Sequence, residues 1–177
     1  MEEESQYTPP QYVNPSLFTE EDVTVGSGQW TFPATLTIPK GTGPFPAVVL
    51  VHGSGPNDRD ETYGPNKAFK DIACGLASNG IVLLGYEKRT KQYPQESAAI
   101  QNFTVQDETI DDTLAAVEVS NNSSIVSQSE IFVLGHSLGG MLAPRIALQD
   151  SKIAGLIILA RATRHLEEFL LEQTRCL

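Results

Sequence analysis

Runs of apolar residues alternate with amphipathic stretches along most of this chain. Four apolar runs have the length of a strand, at residues 47–51, 81–84, 131–134 and 153–160. Between two of them, apolar residues recur at helical spacing, namely Phe69, Ile72, Ala73 and Leu76. Strands that are apolar throughout are typical of a parallel sheet covered on both faces. The pattern therefore predicts an α/β fold, a mostly parallel sheet flanked by helices.

A different pattern precedes these runs. Apolar residues alternate with polar ones from Val23 to Ile38, on either side of a Gly-Ser-Gly turn at 26–28. Alternation around such a turn predicts an N-terminal antiparallel β-hairpin. Pro33 lies in the second strand of this hairpin. Because proline cannot donate to a ladder, we expect that strand to be edge-like or bulged.

Polar segments connect the predicted elements. Residues 52–62 and 86–104 are predicted to be loops. Thr104, with Asp107 three residues later, is a plausible N-cap for a helix that follows. The last predicted element is a short helix beginning near Thr163.

Composition limits the classes of protein that this chain can represent. Its 177 residues, 40% of them hydrophobic, suit one globular domain at 21–177, after a loose lead-in at 1–20. The net charge of −10 argues against a nucleic-acid partner. Without a secretory pattern or an apolar run long enough to cross a membrane, we expect a cytoplasmic protein with no membrane partner. Cys74 and Cys176 predict neither a disulfide framework nor a zinc site, and we expect no metal and no cofactor.

The strongest candidate for chemistry follows the third apolar run. Residues 135–139 read Gly-His-Ser-Leu-Gly, between a predicted strand and a predicted helix. In that setting the pattern G-x-S-x-G forms a tight turn that exposes the serine hydroxyl and requires glycine two residues before and after it. Ser137 is then a candidate nucleophile, and the N–H of Leu138 is half of a candidate oxyanion hole. The alternative is an ordinary Gly-Ser turn.

A second candidate loop begins directly after the first apolar run, with the sequence His-Gly-Ser-Gly at 52–55. The carboxyl ends of parallel strands meet at one edge of a sheet, so we expect this loop and Ser137 to lie at the same edge. The glycines at 53 and 55 match neither of the glycine-rich nucleotide-binding patterns, so nucleotide binding is not favoured.

Together these motifs resemble a known family. The strings HGSGPNDRDET, GPNKAFKDIA, YEKRT and GHSLGGMLAPRIA, in this order, are similar to bacterial and archaeal serine carboxylesterases of the α/β-hydrolase superfamily that carry a lid. The resemblance implies an α/β-hydrolase fold and an acyl-enzyme formed on Ser137 from small carboxylic esters or thioesters. It implies an oxyanion hole made by the N–H groups of Ser54 and Leu138, with Gly55 as the other candidate for the first of these donors.

The remaining polar residues near these motifs have expected structural roles. We expect His52 to brace its loop and His136 to pack beneath the turn. The charged residues Asp58, Arg59 and Asp60 either form a half-buried network at the mouth of the site or are simply solvated.

The same resemblance predicts an incomplete site. In this family a catalytic acid follows the seventh strand and a histidine the eighth, whereas this sequence ends after the predicted sixth strand and a short helix. The domain at 21–177 is therefore expected to be truncated, without the late strands and most of the lid. His165 is a weak candidate base.

Two functions follow from this expectation. The chain is a carboxylesterase-like serine hydrolase that is impaired because the acid and histidine of its triad are absent, or it is a catalytically incompetent fragment that serves as a binding module. The sixth strand would expose an apolar edge. We therefore expect a homo-oligomer, formed across that edge or by swapping the terminal helix.

Overall fold

The computed structural model describes residues 7–161. The strands are β1 (Phe18–Ser27), β2 (Trp30–Pro39), β3 (Phe45–Val51), β4 (Thr62–Tyr63), β5 (Asn66–Lys67), β6 (Val82–Tyr86), β7 (Val126–His136) and β8 (Ile153–Leu159). The α-helices are α1 (Ala68–Ala77), α2 (Arg89–Gln92), α3 (Pro94–Ala99), α4 (Asp111–Asn121) and α5 (Leu138–Ala147). A 3₁₀ turn at Pro15–Leu17 precedes β1, and a π-helical turn at Gln106–Ile110 precedes α4. None of the helices in the described part is long and apolar enough to cross a membrane.

The predicted sheet is confirmed. Over the described residues, its six strands lie in the order β1-β2-β6-β3-β7-β8. The first two strands form the predicted antiparallel hairpin, and β2 is also antiparallel to β6. The remaining neighbours in the sheet, β6 with β3, β3 with β7 and β7 with β8, are parallel. The protein thus has an α/β fold with a mostly parallel sheet, as the apolar runs predicted.

Two apolar layers cover the sheet. Side chains of β3 alternate between them, so Val49 and Val51 join the layer under α4 and α5, whereas Val48 and Leu50 join the layer under α1. Each layer removes apolar surface from water on one face of the parallel strands. This two-sided burial is why those strands carry uninterrupted apolar runs.

The position of Pro33 corrects one expectation. Its strand is not an edge strand, because β2 lies between β1 and β6. The ladder with β6 runs from Ala34 to Thr37, so Pro33 falls just beyond its end, where its carbonyl accepts from the N–H of Glu87 at 2.9 Å. The N and the C=O of a strand residue point to the same side of the strand, so the nitrogen of Pro33 also faces the β6 side. Because the ladder with β6 does not extend to Pro33, no ladder hydrogen bond is lost through its missing N–H.

The predicted loops contain more structure than expected. The loop after β3 continues into a small antiparallel pair, β4 with β5. The segment after β6, predicted to be a polar loop, contains α2 and α3. These elements have four and six residues, too few for their periodicity to stand out in the sequence.

The last described strand is less buried than its apolar sequence predicted. Ile157 and Ile158 are 36% and 41% exposed. Over residues 7–161, β8 pairs only with β7. The proposed swapping of a terminal helix involves residues outside the described range, and association through the β8 edge stays a prediction.

A buried ion pair connects the segment after β6 to helix α4. Both side chains of the Arg89–Asp112 pair are at most 7% exposed, and the two groups share two hydrogen bonds. The guanidinium also lies over the ring of Trp30, 4.6 Å from its centroid. Because the pair is desolvated, removing one partner leaves the other charge uncompensated.

We expect Asp112→Asn to lower the free energy of unfolding by about 3 kcal/mol, since the Arg89 charge stays buried without a counterion. Denaturant unfolding followed by circular dichroism measures this loss. The matched control is Asp111→Asn on the adjacent, exposed position, expected to change stability by less than about 0.5 kcal/mol. Equal effects of the two variants would contradict this account.

Candidate active site

The loop after β3 and the bend after β7 lie next to each other because β3 and β7 are neighbouring strands. In the β3–β7 ladder, Val51 pairs with Gly135, so both strands end at the same level. The chain then continues as His52-Gly53 on one side and as His136-Ser137 on the other. A methyl group placed on Gly53 would lie 3.4 Å from Cβ of Ser137. The expectation that these loops share one edge of the sheet is confirmed.

Ser137 occupies the sharp bend between β7 and α5. Its φ and ψ are 51° and −111°, and its side chain does not cap the helix. A positive φ is unusual for a residue with a side chain and costs about 1–3 kcal/mol. The bend is held from both sides: the N–H of Ser137 donates to the Leu159 carbonyl, and that of Gly139 to the His52 carbonyl, each at 3.0 Å.

The glycines on either side of Ser137 allow the backbone to approach closely. A Cβ at Gly135 would collide with the backbone of Gly139. A Cβ at Gly139 would collide with the Val51 carbonyl oxygen and lie 2.7 Å from that of His52. The tight turn expected of the G-x-S-x-G pattern is therefore present, and its glycine requirement is steric.

A hollow of about 290 Å³ opens beside this bend, and Gly53, Ser54, Glu61, His136 and Ser137 are among its lining residues. In the described part of the chain, no hydrogen bond uses the N–H of Ser54 or of Leu138. The Leu138 side chain is buried in the core, and its N–H is one of the unpaired donors of the first turn of α5. Within residues 7–161, these two backbone donors next to the Ser137 bend have no hydrogen-bond partner.

Gly53, by contrast, has both of its backbone groups engaged by charged side chains. Its N–H donates to Glu61 Oε1 at 2.8 Å. Its carbonyl accepts from Lys88 Nζ at 2.8 Å and from Asn57 Nδ2 at 3.1 Å. These bonds fix the loop that carries Ser54.

His136 does not pack beneath the turn, contrary to expectation. Its side chain is 40% exposed and lines the hollow. Its Nδ1 lies 2.9 Å from Glu61 Oε1, the same oxygen that accepts from Gly53. In this outward position the ring has both a hydrogen-bond partner and access to solvent. Glu61 thereby joins the two candidate loops.

His52 is a structural residue, as expected. It is 1% exposed and packs against the rings of Phe69 and Tyr86, each with centroids 5.2 Å away. Burial and the neighbouring Lys88 lower the pKa of His52 to about 3, with the backbone and carboxylate of Asp58 acting in the opposite direction. The imidazole is therefore neutral at physiological pH.

The charged residues after His52 form a network rather than lying free in solvent. Arg59 donates to Glu87 at 3.0 Å, and its Nη1 donates to Thr35 at 2.8 Å. Asp60 pairs with Lys67, and Asp58 accepts from the N–H groups of Asp60 and Thr62. The three residues are therefore half-buried and hydrogen-bonded, as one of the two expectations had it. None of them is among the residues that line the hollow beside Ser137, so their place at the mouth of the site stays a prediction.

Glu61, Lys88 and Glu108 were not singled out from the sequence. Each lies in or next to a polar segment, where a charged residue usually is solvated. The one available signal was that Lys88 comes two residues after a buried strand, at the carboxyl end of the sheet. His165, the weak candidate base, lies outside the described residues. Within 7–161, no group of three or more His, Cys, Asp and Glu side chains is placed to hold a metal ion.

This fold, with its bend between strand and helix, defines the class as the α/β-hydrolase superfamily. The profile of the Dienelactone hydrolase family matches residues 32–159, and the chain belongs to this family. It is 50% identical over 173 residues to the esterase EstD of Thermotoga maritima, covering 98% of this chain. The chain spans 40% of the length of that relative.

Solved structures support the fold. The chain is similar to brefeldin A esterase, a bacterial homologue of human hormone-sensitive lipase, with a TM-score of 0.64 and 19% identity over 96% of this chain and 48% of that one. It is similar also to the dienelactone hydrolase-like promiscuous phosphotriesterase P91 from metagenomic libraries, with a TM-score of 0.63 and 16% identity over 86% and 64% of the two chains.

We expect Gly139→Ala to destabilise the protein by about 1–3 kcal/mol, because the new methyl group collides with two backbone carbonyls that cannot move independently. Helix propensity alone predicts the opposite, a gain of about 1 kcal/mol. Urea unfolding decides between them. Gly64→Ala is the control, because a methyl group at Gly64 would have no neighbour within 4 Å among the described residues. Only the positive φ of 57° at this position disfavours alanine, and we expect a destabilisation of about 1 kcal/mol. Stabilisation by Gly139→Ala would disprove the steric account.

The buried His52 should make stability depend on pH. Between about pH 6.5 and pH 3, His52 takes up a proton in the unfolded state but not in the folded state. The free energy of unfolding is therefore undiminished by His52 above about pH 6.5 and falls as the pH decreases toward 3. By pH 4.5 the loss expected from His52 alone is about 3 kcal/mol. Asp112, whose pKa is raised to about 6 by burial, offsets part of this loss. Unfolding free energies at pH 7.5 and 4.5 measure it.

His52→Asn should reduce this difference, since asparagine does not titrate. Phe69→Leu, which alters the packing around the same imidazole but keeps it, should be less stable at both pH values and retain the difference. A wild-type pH dependence in His52→Asn would show that other groups cause it.

Proposed function

We propose that the protein acts on small carboxylic esters or thioesters as a serine hydrolase, with Ser137 as its nucleophile. The observation that carries this proposal is the position of Ser137 at a strained bend, beside a hollow it shares with Ser54, with two unpaired backbone donors nearby. Membership of the dienelactone hydrolase family and the similarity to esterase EstD support an esterase function.

In the proposed reaction, Oγ of Ser137 attacks the ester carbonyl carbon and its proton passes to a base. The carbonyl π electrons move to the oxygen, and the resulting oxyanion accepts hydrogen bonds from the N–H groups of Ser54 and Leu138. Collapse of the intermediate expels the alcohol or thiol, which takes up a proton and leaves an acyl-enzyme. Water then hydrolyses the acyl group and regenerates Ser137.

The base is the part of this reaction that the described residues do not supply. Of the two histidines within 7–161, His52 is buried and His136 Nδ1 is engaged by Glu61. No side chain in this range hydrogen-bonds Oγ of Ser137. We therefore propose that the base comes from outside the described residues, with His165 or a group from a partner chain as candidates.

This observation also favours the second candidate function. Without a base, serine is a poor nucleophile, and losing one triad member can reduce kcat by about 10⁶. A chain in that state would be a catalytically incompetent module that binds ligands through the hollow. At about 290 Å³, the hollow is at the lower end of the size range of small-molecule sites, which favours small acyl groups in either case.

Release of p-nitrophenolate from p-nitrophenyl acetate tests the proposal. We expect the wild type to release at least one equivalent per chain and Ser137→Ala to release none above background. Multiple turnovers would show a working base, and their loss in His165→Ala would identify it. A single equivalent would show acylation without deacylation.

Ser129→Ala serves as the matched control, because it removes an exposed hydroxyl on β7 away from the hollow. It should behave as the wild type. Identical traces for the wild type and Ser137→Ala would reject the hydrolase and favour the binding module.

A further inference from the structure

One cation lies buried directly behind the candidate oxyanion loop. The side chain of Lys88 is 2% exposed, and its ammonium group makes two close contacts: 2.8 Å to the carbonyl oxygen of Gly53 and 2.6 Å to Oε1 of Glu108. Lysine is rarely buried to this degree unless it is paired. Glu108 comes from the π-helical turn before α4, so the contact joins three separate segments of the chain.

The carbonyl that Lys88 contacts belongs to the peptide bond whose N–H is that of Ser54. This bond is trans, since the one cis bond of the described chain is Gly43–Pro44. In a trans peptide the C=O and N–H point in opposite directions. With the oxygen turned toward the buried ammonium, the N–H of Ser54 turns away from the interior, and Ser54 itself lines the hollow.

The ammonium also changes the strength of this donor. A charged donor on a carbonyl oxygen polarises the whole peptide, and in a site of low dielectric this makes the N–H of the same peptide a better hydrogen-bond donor. The carboxylate of Glu108 compensates the buried charge of Lys88. Asn57 Nδ2 donates to the carbonyl oxygen of Gly53 at 3.1 Å and so supports the same orientation of the Gly53–Ser54 peptide.

We propose that Lys88, held by Glu108, is a positioning residue that orients and polarises the Gly53–Ser54 peptide for binding of the oxyanion. The inference rests on the proposed function. It excludes a direct chemical role for Lys88, since its ammonium is buried behind the loop and already bonded to two acceptors. A loop held only by packing would not need a charge at this position.

The decisive variant is the double change Lys88→Met with Glu108→Gln, because it removes the ammonium without leaving the half-buried carboxylate of Glu108 unpaired. We expect the rate of Ser137 acylation by p-nitrophenyl acetate to fall about 10- to 100-fold, with the substrate dissociation constant changed by less than about 3-fold. The amide resonance of Ser54 in ¹⁵N NMR spectra should shift more than that of Leu138.

Lys152→Met, which removes a lysine paired with Glu118 far from the hollow, should leave rate and spectrum unchanged in this region. A folded double variant that acylates within about 2-fold of the wild type, or that loses substrate affinity instead of rate, would overturn the inference alone. Equal release by the wild type and Ser137→Ala would overturn the proposed function, and with it the catalytic role of Lys88.

Discussion

The close backbone approach at the end of β7 is the constraint on which the site depends. Gly135 and Gly139 leave no space for a Cβ, and the N–H of Gly139 bonds to the carbonyl of His52. Helix α5 can therefore begin directly against β3, and the loop after β3 lies beside Ser137. A larger residue at either glycine would separate the two loops and open the distance between the serine and the backbone donors. The positive φ of Ser137 is the cost of this geometry, held by hydrogen bonds to both neighbouring strands.

Two charged side chains, the buried Lys88 and the half-buried Glu61, hold the other half of the site. Glu61 and Lys88 bind the N–H and the C=O of the same residue, Gly53, so neither polar group of that buried glycine lacks a partner. Each of these side chains has a further partner: Glu61 lies within hydrogen-bond distance of His136, and Lys88 pairs with Glu108. Polar networks of this kind are stabilising only when every member is satisfied, and they then favour one conformation. The loop that carries Ser54 is accordingly held by electrostatics, whereas the sheet beneath it is held by apolar packing.

The described residues bring together a serine at a sharp bend and two backbone N–H groups that have no hydrogen-bond partner within 7–161. The chain shares half of its residues with EstD over 40% of the length of that esterase. A base to receive the serine proton is the component that separates the hydrolase from the binding module. Within the described residues, Ile157 and Ile158 of β8 remain partly exposed.

Much of the fold and part of the site followed from local patterns. Apolar runs and helical spacing predicted the parallel sheet and its helices, because burial on two faces leaves a direct trace in composition. The glycine–serine pattern predicted the bend at Ser137, because a bend that tight excludes other residues. What only the tertiary structure decided is the identity of the side chains that hold the loops. Lys88 reaches Gly53 across 35 residues, and Glu61 reaches His136 across 75, which turned that histidine outward. Such contacts depend on the strand order β6-β3-β7, and a charged residue has the same appearance in a sequence whether it faces water or a buried carbonyl.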